Sequence, residues 1–254
     1  MLRKNGGEVM MDLLIEWGVD HIYGMAGDSI NSLVEVLRKR QDKLKFIQVR
    51  HEETGALAAA AYAKATGKLG VCMGIAGPGA IHLLNGLYDA KLDKAPVLAI
   101  AGQVESDLLG SDFFQEVNLD ALFNDVAVYC QRIMSAEQIP TVVNQAIRAA
   151  YTKKGVSVLI VPDDIPRFEV EREARKTSSF YARSEVRPPI AQLMEAKKVI
   201  DSAKRPVILA GKGARGAREA LITFADRIGA PIVLTLPGKG VVPDEHPLCL
   251  GGLG

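Results

Sequence analysis

The 254-residue sequence predicts an α/β fold, in which a doubly wound, mostly parallel sheet with helices on both faces is followed by a second, truncated α/β unit. Three observations lead to this prediction. Several short runs are apolar throughout, without the polar alternation of a strand that faces water. Segments with helical spacing of apolar residues separate these runs. The 24 glycines and the single tryptophan suit tight turns between strands and helices.

Residues 1–165 hold enough alternating segments for one complete domain. Strands are predicted at 20–24, 45–49, 70–76, 95–103, 126–134 and 156–162. Helices are predicted at 8–18, 29–40, 77–91 and 135–155, with an alanine-rich helix that ends at 67. Ser29 is the expected N-cap of the second helix, and Ser135 with Gln138 is the expected capping box of the last.

Residues 166–189 are polar, charged and bounded by proline, which predicts an interdomain linker. A second unit begins at 190 with a helix at 190–202, followed by strands at 205–211 and 230–238 and a helix between them. Two strands and two helices cannot cover both faces of a parallel sheet. We therefore expect residues 190–254 to be the start of an incomplete, Rossmann-like domain within a longer protein.

Composition excludes several classes of protein. The net charge is +1, from 31 basic and 30 acidic residues, so nothing favours binding to nucleic acid or to an anionic membrane. No apolar run reaches the length of a membrane helix, and a cytoplasmic location is the default expectation. The three cysteines form no CxxC pair, which argues against a disulfide framework and a cysteine zinc site.

The stretch HEETGALAAAAYA, which starts at His51, opens like the helix of a zinc protease. That motif needs a second histidine four residues later, but position 55 is Gly55. The remaining histidines, His21, His82 and His246, have no metal-ligand spacing relative to His51. The sequence therefore predicts no metal site in these residues.

A carboxylate remains at the junction of a strand and a helix, where the ligand sites of α/β sheets collect. The positive end of the helix dipole favours an ionised Glu52, whereas burial against small alanines opposes it. A group under both influences could exchange a proton with a bound ring nitrogen. The residue pattern alone favours a simpler explanation, in which Glu52 and Glu53 only favour the start of the helix.

Three further loops follow predicted strands, at 23–29, 76–82 and 102–116. Because the carboxyl ends of parallel strands meet at one edge of the sheet, these loops are expected beside Glu52. Their glycines would allow the backbone to approach a flat ligand. Each loop alone could be only a turn, but four junctions together favour a binding site.

These motifs resemble the thiamine-diphosphate-dependent decarboxylase and oxidase superfamily over nearly the whole chain. The pyrimidine-binding domain of that superfamily is similar to YGMAGDSINSL, to residues 50–103 and to FFQEVNLDALF; the start of its central domain is similar to RPVILAGKGAR and GKGVVPDEHPLCLGGLG. Pyruvate oxidases are the most similar group, and acetolactate synthases come next. The synthases usually carry Asn in place of His82 and Gln in place of Glu53, and the family usually has Gly in place of Ala61.

The resemblance implies that Glu52 is the catalytic residue, because the family's carboxylate directly after the histidine contacts N1′ of the aminopyrimidine and promotes deprotonation of thiazolium C2. It implies further cofactor contacts from Gly27, Asp28, Ser29, Pro78, Gly79 and Asn85. On the substrate side it implies His82, Phe114 and Gln115, facing the active site of a neighbouring subunit. Without the resemblance, His82 would be interpreted as a helix residue bonded to backbone and Phe114 as a core aromatic.

The second unit carries GKGARG between a strand and a helix, which fits the G-x-G-x-x-G pattern of a dinucleotide site. The resemblance to the oxidases implies FAD contacts from Gly211, Gly213, Ala214, Arg215, Thr235 and Lys239. The next strand ends in Thr235 rather than an acid, so an ordinary NAD site is not supported. In non-flavin relatives the same loop is structural.

The resulting expectation is the N-terminal part of a pyruvate oxidase that uses thiamine diphosphate, Mg²⁺ and FAD, as a homodimer or homotetramer. The family binds Mg²⁺ and diphosphate on a third domain through a GDG…N motif that these residues lack, so the fragment alone is expected to be inactive. The alternatives are an acetolactate synthase-like carboligase and an inactive dinucleotide-binding or structural fragment.

Overall fold

The computed structural model describes residues 3–171 and 186–253, and the chain divides into two compact units, 1–184 and 185–254. Most of the predicted linker, residues 172–185, lies outside the described residues. The units are described separately below.

The first unit is built on a six-stranded parallel sheet with the order β3-β2-β4-β5-β7-β6. Its strands are β2 (His21–Gly24), β3 (Lys45–Gln48), β4 (Gly70–Gly74), β5 (Val97–Gln103), β6 (Ala127–Arg132) and β7 (Val156–Pro162). The central strands β4, β5 and β7 are buried along their whole length, as expected for apolar runs covered on both faces. The predicted doubly wound α/β fold is confirmed.

Helices cover both faces of this sheet. They are α1 (Gly6–Glu16), α2 (Asn31–Arg38), α3 (Glu52–Thr66), α4 (Pro78–His82), α5 (Leu84–Leu92), α6 (Leu119–Leu122) and α7 (Ile139–Lys153). Along β5, Leu98 and Ile100 join the apolar core with α1, α2 and α7, whereas Ala99 and Ala101 join the core with α3 and α5. This alternation follows from the two-residue period of a strand. The helix predicted at 77–91 is divided between α4 and α5 at Leu83.

The alanine content of α3 follows from its close packing. Ala56, Ala59 and Ala60 are fully buried, and α5 crosses them at Gly86. A Cβ placed on Gly86 would lie 2.5 Å from the Cβ of Ala56, well inside van der Waals contact. On its other side α3 lies against β4, where a Cβ on Gly70 would lie 2.7 Å from the carbonyl carbon of Ala59. Larger side chains would separate these elements.

Both predicted helix caps are wrong. A 3₁₀ turn at Asp28–Ile30 precedes α2, and the Ser29 hydroxyl instead accepts a hydrogen bond from Ala76 N–H at 2.7 Å. A 3₁₀ turn also precedes α7, where Ser135 makes no capping bond and the Gln138 side chain accepts from Met134 N–H. In both places the first turn is 3₁₀ rather than α, and the predicted cap bonds are not formed.

The first unit extends beyond the predicted boundary at 165. Strand β1 (Lys4–Asn5) pairs antiparallel with β8 (Glu169–Val170), and Gly6 N–H donates to the carbonyl of Phe168 at 2.9 Å. Residues up to 170 are therefore part of this unit rather than of a linker. Two-residue strands have no detectable periodicity, so the sequence could not predict this pairing.

The second unit contains α8 (Ile190–Ser202), β9 (Ile208–Ala210), α9 (Arg218–Ile228), β10 (Ile232–Thr235) and β11 (Cys249–Leu253). Its three strands are parallel in the order β11-β10-β9. The sequence predicted two strands and missed β11, whose two glycines, Gly251 and Gly252, weaken the strand signal. Within residues 3–171 and 186–253, none of the helices has the length and apolar character needed to cross a membrane.

Candidate active site

Loops from four strands meet at the carboxyl edge of the first unit's sheet, as the sequence predicted. Ser29, after β2, contacts the loop after β4 through the bond from Ala76 N–H to its hydroxyl. A Cβ on Gly77 would lie 2.6 Å from the carbonyl oxygen of Gln115, so the loop after β5 touches the same place. Gly77 has a φ of +61°, a conformation that glycine adopts without steric cost.

Glu52 is a buried acid at this edge. It is the first residue of α3 and only 6% exposed, so the helix N-terminus supports its negative charge. Its Oε2 lies 3.0 Å from Nδ1 of His82. Its Oε1 faces Gly79, where an added Cβ would lie 3.0 Å away. A side chain at position 79 would not fit, because its Cβ would also lie 2.6 Å from Ile75, so backbone approaches the carboxylate closely here.

Glu53 occupies a different environment, although it is adjacent in the sequence. Its side chain is 38% exposed, and its Oε1 accepts a hydrogen bond from Asn85 Nδ2 at 3.1 Å. The predicted cofactor residue Asn85 therefore holds Glu53 rather than Glu52. The two neighbouring acids differ in burial; the residue pattern alone did not distinguish them, whereas the family resemblance selected Glu52.

Two histidines complete the surroundings of Glu52. His51 is the N-cap of α3, and its Nδ1 accepts from Glu53 N–H at 3.3 Å. His82, at the end of α4, stacks on it with ring centroids 4.3 Å apart and planes inclined by 27°. Sequence spacing gave no reason to pair these rings, because α4 folds back over the start of α3. His82 is bonded to a carboxylate, not to backbone as its residue pattern alone suggested.

The loop after β5 is held by its own side chains. The Glu116 carboxylate accepts from the N–H groups of Gly110 at 2.6 Å and Phe113 at 3.2 Å. These backbone donors, Gly110 first, lower the pKa of Glu116. Gln115 has a φ of +67°, which is a strained value for a residue other than glycine. Phe114 is 78% exposed, which excludes the core position that its type alone suggested.

Of the remaining predicted cofactor residues, Pro78 is the first residue of α4, and a Cβ on Gly27 would lie 2.7 Å from Ile75. Asp28 stays near the surface, where Asn31 Nδ2 donates to its Oδ1 at 3.4 Å. These positions border the same edge but do not touch Glu52 through any of the hydrogen bonds described.

Sequence reasoning missed Asp163, which follows β7 at this edge. It is 8% exposed, pairs with Arg167, and its Oδ1 has no hydrogen-bond partner among the described residues. Burial raises the pKa of the Asp163 carboxyl, and Arg167 offsets only part of that shift. Asp28 is among the acids whose charge adds to it. The acidic pair that directly follows this strand, in VSVLIVPDD, was the available signal.

In the second unit, the predicted FAD residues lie at the carboxyl ends of β9 and β10. The set is Gly211, Gly213, Ala214, Arg215, Thr235 and Lys239. The two loops are adjacent, because Arg215 Nη2 donates to the Pro237 carbonyl at 3.2 Å. A Cβ on Gly213 would meet no atom within 4 Å, so packing within the described structure does not require that glycine. Lys239 pairs with Asp244 at 3.2 Å.

Comparison with known families matches both units. Residues 4–122 match the thiamine pyrophosphate enzyme family, N-terminal TPP binding domain, and residues 193–254 match its central domain. YdaP of Bacillus subtilis, whose name describes a thiamine pyrophosphate-containing protein, is 57% identical over 254 residues, which are 100% of this chain and 44% of that protein.

Two further relatives have named activities. A pyruvate oxidase of Lactiplantibacillus plantarum is 42% identical over 96% of this chain and 41% of its own length. An acetolactate synthase of Mycobacterium bovis is 36% identical over 97% of this chain and 40% of its own length. The chain thus spans less than half of each of these relatives. It belongs to the superfamily of thiamine pyrophosphate-dependent enzymes, with residues of both the N-terminal and the central domain.

Proposed function

We propose that this chain is the N-terminal part of an enzyme that decarboxylates pyruvate, and that the whole protein is a flavin-dependent pyruvate oxidase. The observation that carries the proposal is Glu52, a buried carboxylate at the edge of the sheet where loops from four strands meet. The higher identity to the pyruvate oxidase than to the acetolactate synthase supports the oxidase activity.

The residues around Glu52 fit the aminopyrimidine ring of thiamine diphosphate. Gly79 brings bare backbone close to the carboxylate, since a Cβ at this position would lie 3.0 Å from Glu52 Oε1. Ile75 provides an apolar wall there, because a Cβ on Gly79 would also lie 2.6 Å from it. A buried acid beside an apolar wall suits a ring with one basic nitrogen.

In this arrangement Glu52 holds a proton at the ring nitrogen N1′. Low exposure keeps water from competing for the carboxylate, and His82 Nδ1 fixes its second oxygen at 3.0 Å. Thiamine diphosphate, when bound, supplies the thiazolium carbon at which a 2-keto acid loses carbon dioxide. Polar and apolar surface for the small substrate would then come from the half-exposed His82 ring, from the exposed Phe114 ring and from the partly buried Gln115.

FAD is the proposed second cofactor, held by the loops after β9 and β10. The support is the open space at Gly213 and Gly216, where an added Cβ would meet nothing within 4 Å. Backbone without side chains lets a dinucleotide approach closely. Mg²⁺ and diphosphate would be held by a further domain. A homodimer or homotetramer and a cytoplasmic location stay predictions.

The matched substitutions Glu52→Gln and Glu53→Gln test the proposal in the full-length protein. Loss of the buried acid removes general acid–base assistance, so Glu52→Gln should slow exchange of the thiazolium C2 proton by about 10²-fold or more. Glu53→Gln should change it little, because that side chain is half-exposed and bonded to Asn85. Exchange followed by NMR after quenching gives the rate. Equal rates in the two variants would refute the assignment of Glu52.

Analysis of the products formed from pyruvate distinguishes the oxidase from the carboligase. A yellow preparation that reduces an artificial electron acceptor with pyruvate supports the oxidase. Acetolactate as the main product, without reduction of the acceptor, would replace it with the carboligase activity.

A further inference from the structure

His51, Glu52 and His82 form a cluster of three metal-ligating side chains. Each residue offers one ligand atom, and these atoms all lie within 4.8 Å of one another. His51 and Glu52 begin α3, whereas His82 comes from the end of α4, so the cluster is absent from the linear sequence pattern. Exposed acids often group without a metal, but the acid here is buried.

The chemistry of the cluster suits a divalent transition-metal ion. Two imidazoles and one carboxylate, with a water in the fourth position, are a known ligand set for zinc. Tetrahedral coordination at about 2.0–2.1 Å places ligand atoms roughly 3.4 Å apart. Glu52 Oε2 and His82 Nδ1 are already 3.0 Å apart, so a small outward rotation of one group would admit the ion.

Both imidazoles are able to make this adjustment. The side chains of His51 and His82 are 49% and 43% exposed, and their rings are stacked rather than enclosed. His51 Nδ1 accepts a long 3.3 Å bond from Glu53 N–H and lies 3.9 Å from Glu53 Oε2, so the ring must give up that weak bond if this nitrogen is to bind an ion. A metal at this nitrogen would replace a weak helix cap.

We propose that His51, Glu52 and His82 bind one divalent transition-metal ion, such as Zn²⁺, when the pyrimidine end of the site is empty. Since the ion and the aminopyrimidine would both require Glu52, the two should exclude each other; this second statement rests on the proposed function. Metal binding itself does not, and is measured without the cofactor.

Titration of the cofactor-free, full-length protein with Co²⁺ tests the metal site. Four-coordinate Co²⁺ gives an intense visible absorption, and Zn²⁺ should displace one equivalent of it. The variants are Glu52→Gln and His82→Asn. The matched control is His246→Gln, which removes a histidine of the second unit that lies 3.6 Å from Asp226. Circular dichroism verifies that each variant is folded.

We expect one bound Co²⁺ in the wild type and in His246→Gln, and an affinity at least about tenfold lower in Glu52→Gln and in His82→Asn. Absence of stoichiometric binding, or equal affinity in His82→Asn and His246→Gln, would overturn the site. Addition of thiamine diphosphate with Mg²⁺ then tests exclusion. Displacement of Co²⁺ supports it. Simultaneous binding would overturn the exclusion and leave the metal site standing.

Discussion

Replacing Gly86 with alanine should destabilise the first unit, although alanine is the better helix former. The added Cβ would lie 2.5 Å from both the carbonyl carbon and the Cβ of Ala56, instead of about 3.5–4.0 Å. Backbone atoms cannot rotate away, so α3 and α5 must separate. Overpacking of this kind costs about 3 kcal/mol, at the upper end of its usual range. The helix-propensity gain of about 1 kcal/mol leaves a net loss of about 2 kcal/mol.

Differential scanning calorimetry provides the measurement, and the unfolding temperature should fall by about 4–8 °C for a unit of this size. Ala61→Gly is the matched control, because Ala61 is an exposed residue of α3. It should lose only the propensity difference of about 1 kcal/mol. An unfolding temperature for Gly86→Ala at or above that of the wild type would refute the close-packing argument.

Two further predictions concern titrating groups. Burial raises the pKa of Asp12, but Arg40 and Lys4 outweigh it, so the pKa lies below its ordinary value. The ionised form is thus favoured in the folded state, and its stabilisation is present above about pH 4 and lost as pH falls through the lowered pKa. The urea midpoints of the wild type and Asp12→Asn should therefore converge between pH 7 and pH 3, and a constant difference would contradict this. Burial also raises the pKa of Cys72 to about 12. At pH 8 only about one thiol in ten thousand is ionised, so mass spectrometry should find iodoacetamide on Cys249 but on Cys72 only after unfolding.

The alternation of strands and helices was predictable because it depends on local patterns. All six strands of the large sheet were predicted, and the clearest signals came from the apolar runs of β4, β5 and β7, which are buried along their whole length. The position of Glu52 at the start of a helix was predictable for a similar reason, because a strand end followed by a helix start is a local signal; its role in catalysis stays a prediction from the family resemblance.

The contacts that define the site's geometry were not predictable, because their partners are distant in sequence. Ser29 has the composition of a helix cap, but its hydroxyl is taken by Ala76, 47 positions away. His82 approaches Glu52 only after α4 turns back over α3, and periodicity does not report such a turn. Asp163 was overlooked because the site was predicted only from Glu52 and from the loops at 23–29, 76–82 and 102–116.

The pairing of β1 with β8 has a consequence for how this unit can be joined to other domains. The pairing places residues 4–5 and residues 169–170 side by side, so the chain enters and leaves this unit at neighbouring points. Gene fusion can therefore attach other domains at this point without changing the strand order of the sheet. Truncation of the unit after residue 165 would remove β8 and its pairing with β1, whereas truncation after residue 170 would keep that pairing.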